Sequence, residues 1–231
     1  DLNPEEVVTN MVSVAEIPED GYLVMVTKNG FIKRSRIQDY DSNRRNSGIN
    51  GIKLDDGDEV AYVLPTNGSY DIFIVTEQGN AIRYSEDIIR VQGRATRGSR
   101  ALKLNPGDRV AQTFTLDPDS NPDVFVITSA GYGKKTSADQ YRSSGSRNVK
   151  GCAVLKKDAL KSRGGTLVGA CALYGGESLL ALTKMGQAIR FAEKDIRSTG
   201  RTTGGVRVVK LTDGDAVVKL ATLAAEEEDE D

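Results

Sequence analysis

The hydrophobic and polar positions of this chain form one pattern that occurs four times. An aliphatic or β-branched run is followed by Thr, two further residues, Gly and a second short run, as in VMVTKNGFIKR around Gly30. The same pattern surrounds Gly79, Gly131 and Gly186, at successive intervals of 49, 52 and 55 residues. Two short runs joined by a turn that contains Gly are typical of a β-hairpin. Each copy therefore predicts two antiparallel strands.

A second landmark follows each hairpin. Segments that begin at Gly48, Gly98 and Gly205 place Lys-Leu five and six residues on, and Gly-Asp nine and ten residues on. The segment from Gly151 replaces the Gly-Asp turn with the longer DALKSRGG. Another apolar run comes after each turn, so that every unit holds four candidate strands, and no segment shows sustained helical periodicity. This pattern predicts repeats at about 7–58, 59–108, 109–165 and 166–223, within a domain at 1–225.

Four short strands per repeat predict an all-β, propeller-like array. In such an array, each four-stranded blade buries its faces against neighbouring blades. The chain has neither Trp nor His, so its repeats differ from WD40 blades, which carry Gly-His and Trp-Asp.

Composition limits the function classes. Without His, a Ser-His-Asp triad and a His-ligated zinc site are excluded. The two cysteines, Cys152 and Cys171, lie far from CxxC spacing and are expected to be free thiols in a reducing compartment. The chain has no membrane-spanning apolar run, no signal-peptide pattern and no initiator Met. We therefore expect a non-catalytic, cytoplasmic fragment of a longer chain that uses no metal or cofactor and no membrane partner.

The net charge of −2 conceals an uneven distribution. All six residues of 226–231 are acidic, and without them 27 acidic residues oppose 31 basic ones, a net charge of +4. A block of six like charges is typical of a disordered tail. This tail is either a solubilising terminus or an intramolecular competitor for a basic surface.

Basic residues recur at equivalent places in the repeats. A cation stands four residues after each turn Gly, and the loops before the second landmark carry further cations among Ser, Thr, Gly and Asn. Equivalent positions of successive blades lie on one rim, so these cations would follow a curved polyanion and bind phosphates without reading bases. Few aromatic residues favour bent duplex DNA over stacked single strands. The candidate DNA-binding residues are Lys33, Arg34, Arg36, Arg44, Arg45, Arg83, Arg94, Arg97, Arg100, Lys134, Lys135, Arg142, Arg147, Lys150, Arg190, Arg197, Arg201 and Arg207.

An alternative explains the column of cations four residues after each turn Gly, which consists of Arg34, Arg83, Lys135 and Arg190. These residues could be strand positions whose side-chain stems pack on the blade or whose charges pair with acidic residues. In that case the DNA interface would depend on the loops alone.

The repeats resemble the C-terminal domain of bacterial type IIA topoisomerase A subunits. The matching pieces include GNAIRYSEDIIRVQGRATRGSRALKL, TSAGYGKKTSADQYRSSGSRNVKG and GRTTGGVRVVKLTDGD, and GRATRG followed by GYGKKT is especially similar to gyrase. The resemblance implies a β-pinwheel whose blades exchange strands and whose basic perimeter binds and wraps DNA. It also implies a nucleoid-associated holoenzyme that pairs two A subunits with the ATP-binding gyrase B subunit, and that introduces negative supercoils.

The chain departs from the gyrase pattern in its basic box and in having four units, which are most similar to the later blades of a six-bladed domain. The basic box Gln-Arg-Arg-Gly-Gly-Lys-Gly is absent, and NRRNSGING and GSRNVKG occupy comparable loops. Two alternatives to a gyrase domain stay open. The chain could be the corresponding domain of topoisomerase IV, or a protein-interaction propeller that binds no DNA.

Overall fold

The computed structural model describes residues 7–12, 19–40, 48–163 and 165–223. Arg44, Arg45 and the acidic segment 226–231 lie outside these ranges. No helix of the described ranges has the length and apolar character needed to cross a membrane. The described strands are β1 (Tyr22–Thr27), β2 (Phe31–Arg36), β3 (Val60–Thr66), β4 (Asp71–Thr76), β5 (Asn80–Ser85), β6 (Ser99–Arg100), β7 (Val110–Leu116), β8 (Asp123–Thr128), β9 (Tyr132–Ser137), β10 (Cys152–Ala153), β11 (Leu167–Leu173), β12 (Ser178–Thr183), β13 (Ala188–Ala192), β14 (Val206–Arg207) and β15 (Val217–Leu223). The described helix is α1 (Lys157–Arg163).

The strands form four antiparallel sheets, which are the blades. Blade 1 has the strand order β3-β1-β2-β6, blade 2 β7-β4-β5-β10, blade 3 β11-β8-β9-β14, and blade 4, in the described residues, β15-β12-β13. The outermost strand of blades 1 to 3 comes from the following repeat. For example, β6 follows β5 in the chain but pairs with β2, with Arg100 opposite Phe31. This exchange confirms the pinwheel that the resemblance implies.

The repeated Thr-x-x-Gly pattern builds the hairpin turns. The turn glycines have φ between 77° and 84°, in the left-handed region that residues with a Cβ rarely occupy. The Thr hydroxyl oxygen accepts a hydrogen bond from the backbone N–H four residues on, at 3.1–3.2 Å, in every repeat. The accepting residues are Thr27, Thr76, Thr128 and Thr183. Both recurring features of the pattern therefore have a local structural cause.

The core lies in layers between the blades. Alternate positions of β4 point in opposite directions, so that Ile72 and Ile74 join the cluster shared with blade 1, and Phe73 and Val75 join the cluster shared with blade 3. A third cluster, around Phe125, lies between blades 3 and 4. A blade is therefore buried on both faces only when its neighbours are present, as in other repeat folds.

The third repeat contains one short helix that the sequence pattern did not predict. The segment KDALKSR forms α1 where the other repeats have the Gly-Asp turn, and Leu160 packs on the cluster between blades 2 and 3. Its Ala, Leu, Lys and Arg residues favour helix. Two turns are too short to give a sustained periodic pattern, which explains why the sequence did not reveal the helix.

The glycine that precedes each outermost strand lies against the preceding blade. A Cβ on Gly98 would clash with the carbonyl oxygen of Ile32, and one on Gly151 would clash with that of Ala81. Gly48, at the same place in the first repeat, has no atom within 4 Å of an added Cβ. The short segment after Gly48 is not paired with any strand in the described part of the chain.

Candidate nucleic-acid interface

The column of cations four residues after each turn Gly is largely buried. Arg34 and Lys135 are buried, Arg83 is half-buried and Arg190 is exposed. Arg34 Nη1 lies 3.5 Å from Glu86 Oε2, and Lys135 Nζ lies 2.8 Å from Glu193 Oε2. The expectation that this column forms an accessible phosphate track is therefore corrected for its first three members. Their geometry agrees with the alternative of ion pairing within the fold.

These ion pairs join neighbouring repeats. Glu86 and Glu193 each begin the 3-10 turn that follows the second hairpin strand of the next repeat. The third repeat has Ala138 at this place, and its carbonyl oxygen accepts a bond from Arg83 Nη1 at 3.3 Å. Asp71 supplies the carboxylate instead, with its Oδ2 2.6 Å from Arg83 Nε. Each buried cation thus has a carboxylate, although the repeats place that carboxylate differently.

Arg190 keeps the same register position on the exposed blade 4. Its Nη2 donates to Ser178 Oγ at 3.0 Å. Ser178 begins β12 as Asp71 begins β4, so the side-chain partner has the same place in the hairpin although it carries no charge. Arg36, at the end of β2, is also exposed.

Glu86 is an organising residue that the sequence analysis did not identify. It has no exposed surface. Its carboxylate accepts hydrogen bonds from Thr66 Oγ1 at 2.7 Å and from the backbone N–H groups of Gly68 and Tyr70 at 3.1 and 2.9 Å. Ser85 Oγ caps the 3-10 turn by accepting from the Asp87 N–H at 3.3 Å. The Ser-Glu-Asp sequence after β5 is the local signal of this turn, but the burial of Glu86 depends on neighbouring repeats.

Lys33 and Lys134 are also buried, one residue before the column. The ammonium group of Lys134 donates to two backbone carbonyl oxygens of the loop before β14, and that of Lys33 donates to the Arg94 carbonyl oxygen of the loop before β6 and to the Gly51 carbonyl oxygen. Burial lowers the pKa of each side chain to about 8. These two lysines are therefore corrected from candidate phosphate contacts to interior groups in contact with the basic loops.

Exposed arginines lie around the aromatic residue that begins β2. Arg97 and Arg100 place their guanidinium carbons 4.6 and 4.3 Å from the centre of the Phe31 ring. Arg97 also pairs with Asp55 at 3.0 Å, and about half of each side chain is exposed. The ring contacts both guanidinium groups, and both residues remain exposed, a geometry in which cations remain available to a ligand.

The same arrangement recurs around Tyr132, which begins β9. Arg163 and Arg207 lie 4.6 and 5.3 Å from its ring centre, and Arg207 Nη2 donates to the Tyr132 hydroxyl oxygen at 2.9 Å. The exposed Arg163 comes from α1, so the sequence analysis, which did not predict α1, missed it. The corresponding places in blades 2 and 4 hold Asn80 and Gln187, which carry no ring.

The remaining predicted cations lie along the same outer edge. Arg94, Arg147 and Arg201 are half-buried, whereas Arg142, Lys150 and Arg197 are exposed. A cavity of about 530 Å³ in blade 2 is lined by Arg83, Arg142, Lys150 and Arg201 and by no carboxylate among the described residues. We define the basic perimeter as the exposed or half-buried cations of the outermost strands, the loops before them and α1. Its members are Arg90, Arg94, Arg97, Arg100, Arg142, Arg147, Lys150, Lys161, Arg163, Arg197, Arg201 and Arg207.

The central axis of the array has a different character. A cavity of about 610 Å³ lies there between the inner strands, and its charged lining includes Lys28, Glu59, Glu77 and Lys219. Asn10 Nδ2 donates to the Ala61 carbonyl oxygen at 3.1 Å at this site. Because its charges are mixed, the axial cavity does not attract a polyanion as the basic perimeter does.

The four hairpin units match a known family. The model of the DNA gyrase C-terminal domain, a beta-propeller, matches residues 21–67, 70–117, 122–170 and 177–224. Each match contains one hairpin and the inner strand that follows it. The chain belongs to the DNA gyrase C-terminal domain family.

Relatives with known names agree with this assignment. The DNA gyrase A subunit of Mycolicibacterium smegmatis is 36% identical over 229 residues, which cover 98% of this chain and 26% of the relative. The DNA gyrase A subunit of Staphylococcus epidermidis is 34% identical over 229 residues, 99% of this chain and 25% of the relative. The chain thus spans about a quarter of the length of the curated relatives that it matches.

Two solved structures share the fold. The C-terminal domain of DNA topoisomerase IV superposes with a TM-score of 0.88 at 22% identity, covering 98% of this chain and 69% of that one. The DNA gyrase A C-terminal domain superposes with a TM-score of 0.79 at 24% identity, covering 90% and 68%. At these identities the structures support the pinwheel fold, and the choice of gyrase depends on the sequence matches.

Proposed function

We propose that this chain binds double-stranded DNA along the basic perimeter, independently of sequence, and bends the duplex around it. As the C-terminal module of gyrase A, it would present wrapped DNA to a holoenzyme that contains a second copy of gyrase A together with gyrase B. That holoenzyme would use ATP to introduce negative supercoils. A gyrase role is favoured over a topoisomerase IV role by the sequence relatives.

One observation carries this proposal. The strands exchanged between blades bring an arginine to the outer edge of blade 1, where Arg100 lies on β6, and of blade 3, where Arg207 lies on β14. Both arginines are exposed and oriented by an aromatic ring. Arginine keeps its charge at every physiological pH, and its planar guanidinium group can donate two hydrogen bonds to one phosphate group. A repeated set of such groups matches the repeating phosphates of a duplex.

The curved edge determines what kind of DNA complex is expected. Bending a duplex of 20–30 base pairs by 40–90° costs of the order of 1–6 kcal/mol, and this cost is offset only if several blades contact the same DNA. Contacts to phosphates also release counterions, so the observed affinity should fall steeply with salt. The proposal therefore predicts tight, salt-sensitive and length-dependent binding without preference among sequences.

The test is the affinity for a random-sequence duplex of about 100 base pairs, measured by fluorescence anisotropy across a salt series. The perimeter variant carries Arg97→Glu, Arg100→Glu and Arg207→Glu. The matched control carries Arg109→Glu, Lys184→Glu and Lys219→Glu, three exposed cations at hairpin turns or inner strands. The slope of log affinity against log salt concentration counts the phosphate contacts. In the perimeter variant this slope should become shallower by roughly three, about one per arginine, whereas in the control it should hardly change.

The outcomes separate the candidate functions. If the unmodified protein does not bind DNA even at low salt, the basic perimeter is a solvated surface and the protein-interaction propeller is favoured. If both triple variants lose the same slope, binding depends on overall charge and the perimeter assignment is wrong. Wrapping itself is tested by relaxing a plasmid in the presence of the protein, since a wrapped duplex changes the linking number after deproteinisation and a bound but unwrapped one does not.

A further inference from the structure

The ammonium group of Lys33 lies inside blade 1, beneath the loop at 92–98. The residue has no exposed surface. Its Nζ donates to the carbonyl oxygen of Arg94 at 2.8 Å and to that of Gly51, and lies 5.9 Å from the centre of the Tyr40 ring. The loop also carries Arg97 of the basic perimeter. A buried cation thus holds the backbone of a loop whose own side chains are cationic.

Lys134 repeats this arrangement in blade 3. It stands three residues after its turn Gly, as Lys33 does, and is 1% exposed. Its Nζ donates to the carbonyl oxygens of Gly200 and Arg201 at 2.8 and 2.6 Å, and approaches Thr203 Oγ1 at 3.5 Å. Two blades therefore use a buried ammonium group to bind the equivalent basic loop through main-chain oxygens.

Blade 2 shows the same site without the lysine. Ile82 stands three residues after Gly79, and the cavity of about 530 Å³ opens beside it. The equivalent loop of blade 2 has a hydrogen bond between two of its own residues, because Ser144 Oγ donates to the Ser146 carbonyl oxygen at 2.7 Å. The backbone bond that begins the loop is otherwise unchanged, with Ser144 N donating to Arg83 O at 2.7 Å. The difference between the blades therefore lies in the ammonium group rather than in the attachment of the loop.

We propose that Lys33 and Lys134 are positioning residues for DNA binding, which hold the loops at 92–98 and 199–205 so that the arginines of blades 1 and 3 face the duplex. This inference rests on the proposed DNA-binding function. A loop that is ordered before binding loses less conformational freedom when the DNA arrives. The lysines themselves do not contact DNA, because their ammonium groups are occupied by loop carbonyls in the interior.

The charge of the two lysines gives the proposal a pH dependence. Burial lowers the pKa of both side chains to about 8, Asp39 raises that of Lys33 while Arg94 lowers it, and Arg201 lowers that of Lys134. Opening a loop would return its lysine to water and its pKa to the ordinary value, so an open loop binds more protons than a closed one above about pH 8. Between about pH 7 and pH 9.5 the closed loops should therefore become more stable relative to their open states, whereas the perimeter arginines keep their charge.

The first experiment measures amide hydrogen exchange in the free protein. The test variant carries Lys33→Met and Lys134→Met, which keep the apolar stem and remove the ammonium group. The control carries Lys53→Met and Lys103→Met, which remove two exposed charges. The amides of Gln92 and Thr199, which begin the two loops, should exchange about tenfold faster in the test variant alone. The Ser144 amide, in blade 2, should be unchanged in both.

The second experiment measures DNA affinity with the same proteins. The test variant should bind a duplex of about 100 base pairs roughly tenfold more weakly at pH 7, and the control less than threefold more weakly. Equal losses in the two variants would mean that only net charge matters, and would overturn the proposal.

If the test variant does not fold, amide exchange in the unmodified protein at different pH values tests the proposal instead. After correction for the intrinsic pH dependence of exchange, the Gln92 and Thr199 amides should gain protection between pH 7 and pH 9.5 relative to Ser144. Constant or falling relative protection would overturn the positioning role whatever the DNA results. If the protein bound no DNA but the two loops still gained protection, the proposed function would fail while the loop contacts would stand.

Discussion

Replacing Arg83 by Met tests whether the cation four residues after the turn Gly is structural. The side chains of Arg83 and Asp71 are only 11% and 7% exposed, and Nε lies 2.6 Å from Oδ2. Met keeps the apolar stem but leaves the carboxylate of Asp71 buried without a counter-ion. Breaking a buried ion pair by removing one partner costs about 3–5 kcal/mol. We expect a value near the lower end, about 3 kcal/mol, because water can reach the edge of this pair.

That cost is large relative to the whole stability of a domain, which is typically about 5–15 kcal/mol. For a chain of this size, a loss of 1 kcal/mol lowers the melting temperature by about 2–4 °C, so a decrease of roughly 6–12 °C is expected. Adding Asp71→Asn to Arg83→Met should recover part of the loss, because the neutral amide leaves no buried charge. The DNA affinity of the folded variant should stay within about threefold of the unmodified protein, since the guanidinium group does not belong to the basic perimeter.

Calorimetry and urea unfolding measure the stability, and the DNA titration across a salt series measures the affinity. Arg97→Met is the matched control, because it removes an arginine from an exposed pair with Asp55. Exposed pairs contribute about 0–1 kcal/mol, so this control should hardly change the melting temperature. The structural explanation is refuted if Arg83→Met changes the stability by less than about 1 kcal/mol while the DNA affinity falls tenfold or more. In that case the column would be a phosphate track after all.

Three other parts of the chain give testable predictions. Glu86→Ala should destabilise the fold by about 4 kcal/mol in urea unfolding, because three donors and a buried Arg lose their acceptor, and a loss below 1 kcal/mol would contradict this assignment. Deleting 226–231 should raise the DNA affinity more at 50 mM than at 200 mM salt if the tail competes for the perimeter, whereas equal affinities would make it a solubilising terminus. Stability should rise from about pH 8 to pH 9, because the unfolded chain then keeps protons that the two buried lysines have lost, and a stability that is constant or falls over this range would refute the lysine assignment.

The buried pairs also change the meaning of charge-reversal experiments on this fold. Reversing Arg34, Arg83 and Lys135 would place new carboxylates beside Glu86, Asp71 and Glu193. Like charges in the interior would unfold the blades, and the accompanying loss of DNA binding would say nothing about the interface. The exposed perimeter arginines, such as Arg97, Arg100 and Arg207, are the informative positions, because their removal leaves no buried charge.

The local features of the protein could be predicted from its sequence alone. The Thr-x-x-Gly pattern predicted the hairpins because a left-handed Gly and a Thr hydroxyl form the turn within five residues, and the four short apolar runs in each repeat predicted blades that bury their faces against neighbouring blades. The recurrence of this hairpin pattern at intervals of about 50 residues predicted the array, because each repeat carries its own copy of the pattern. Helix α1 was missed because seven residues do not make a period.

The choice of which cations face solvent depends on contacts that are distant in the sequence. Arg34 and Arg100 are both arginines of a basic repeat, but Arg34 is buried against Glu86, 52 residues away in the chain, whereas Arg100 lies on the exchanged strand β6 at the outer edge. Burial depends on contacts between blades and on strands donated by the next repeat, and neither is encoded in the spacing of charges along one unit. The same pattern of Lys and Arg can therefore hold the blades together or bind a polyanion, according to the side of the blade on which the fold places it.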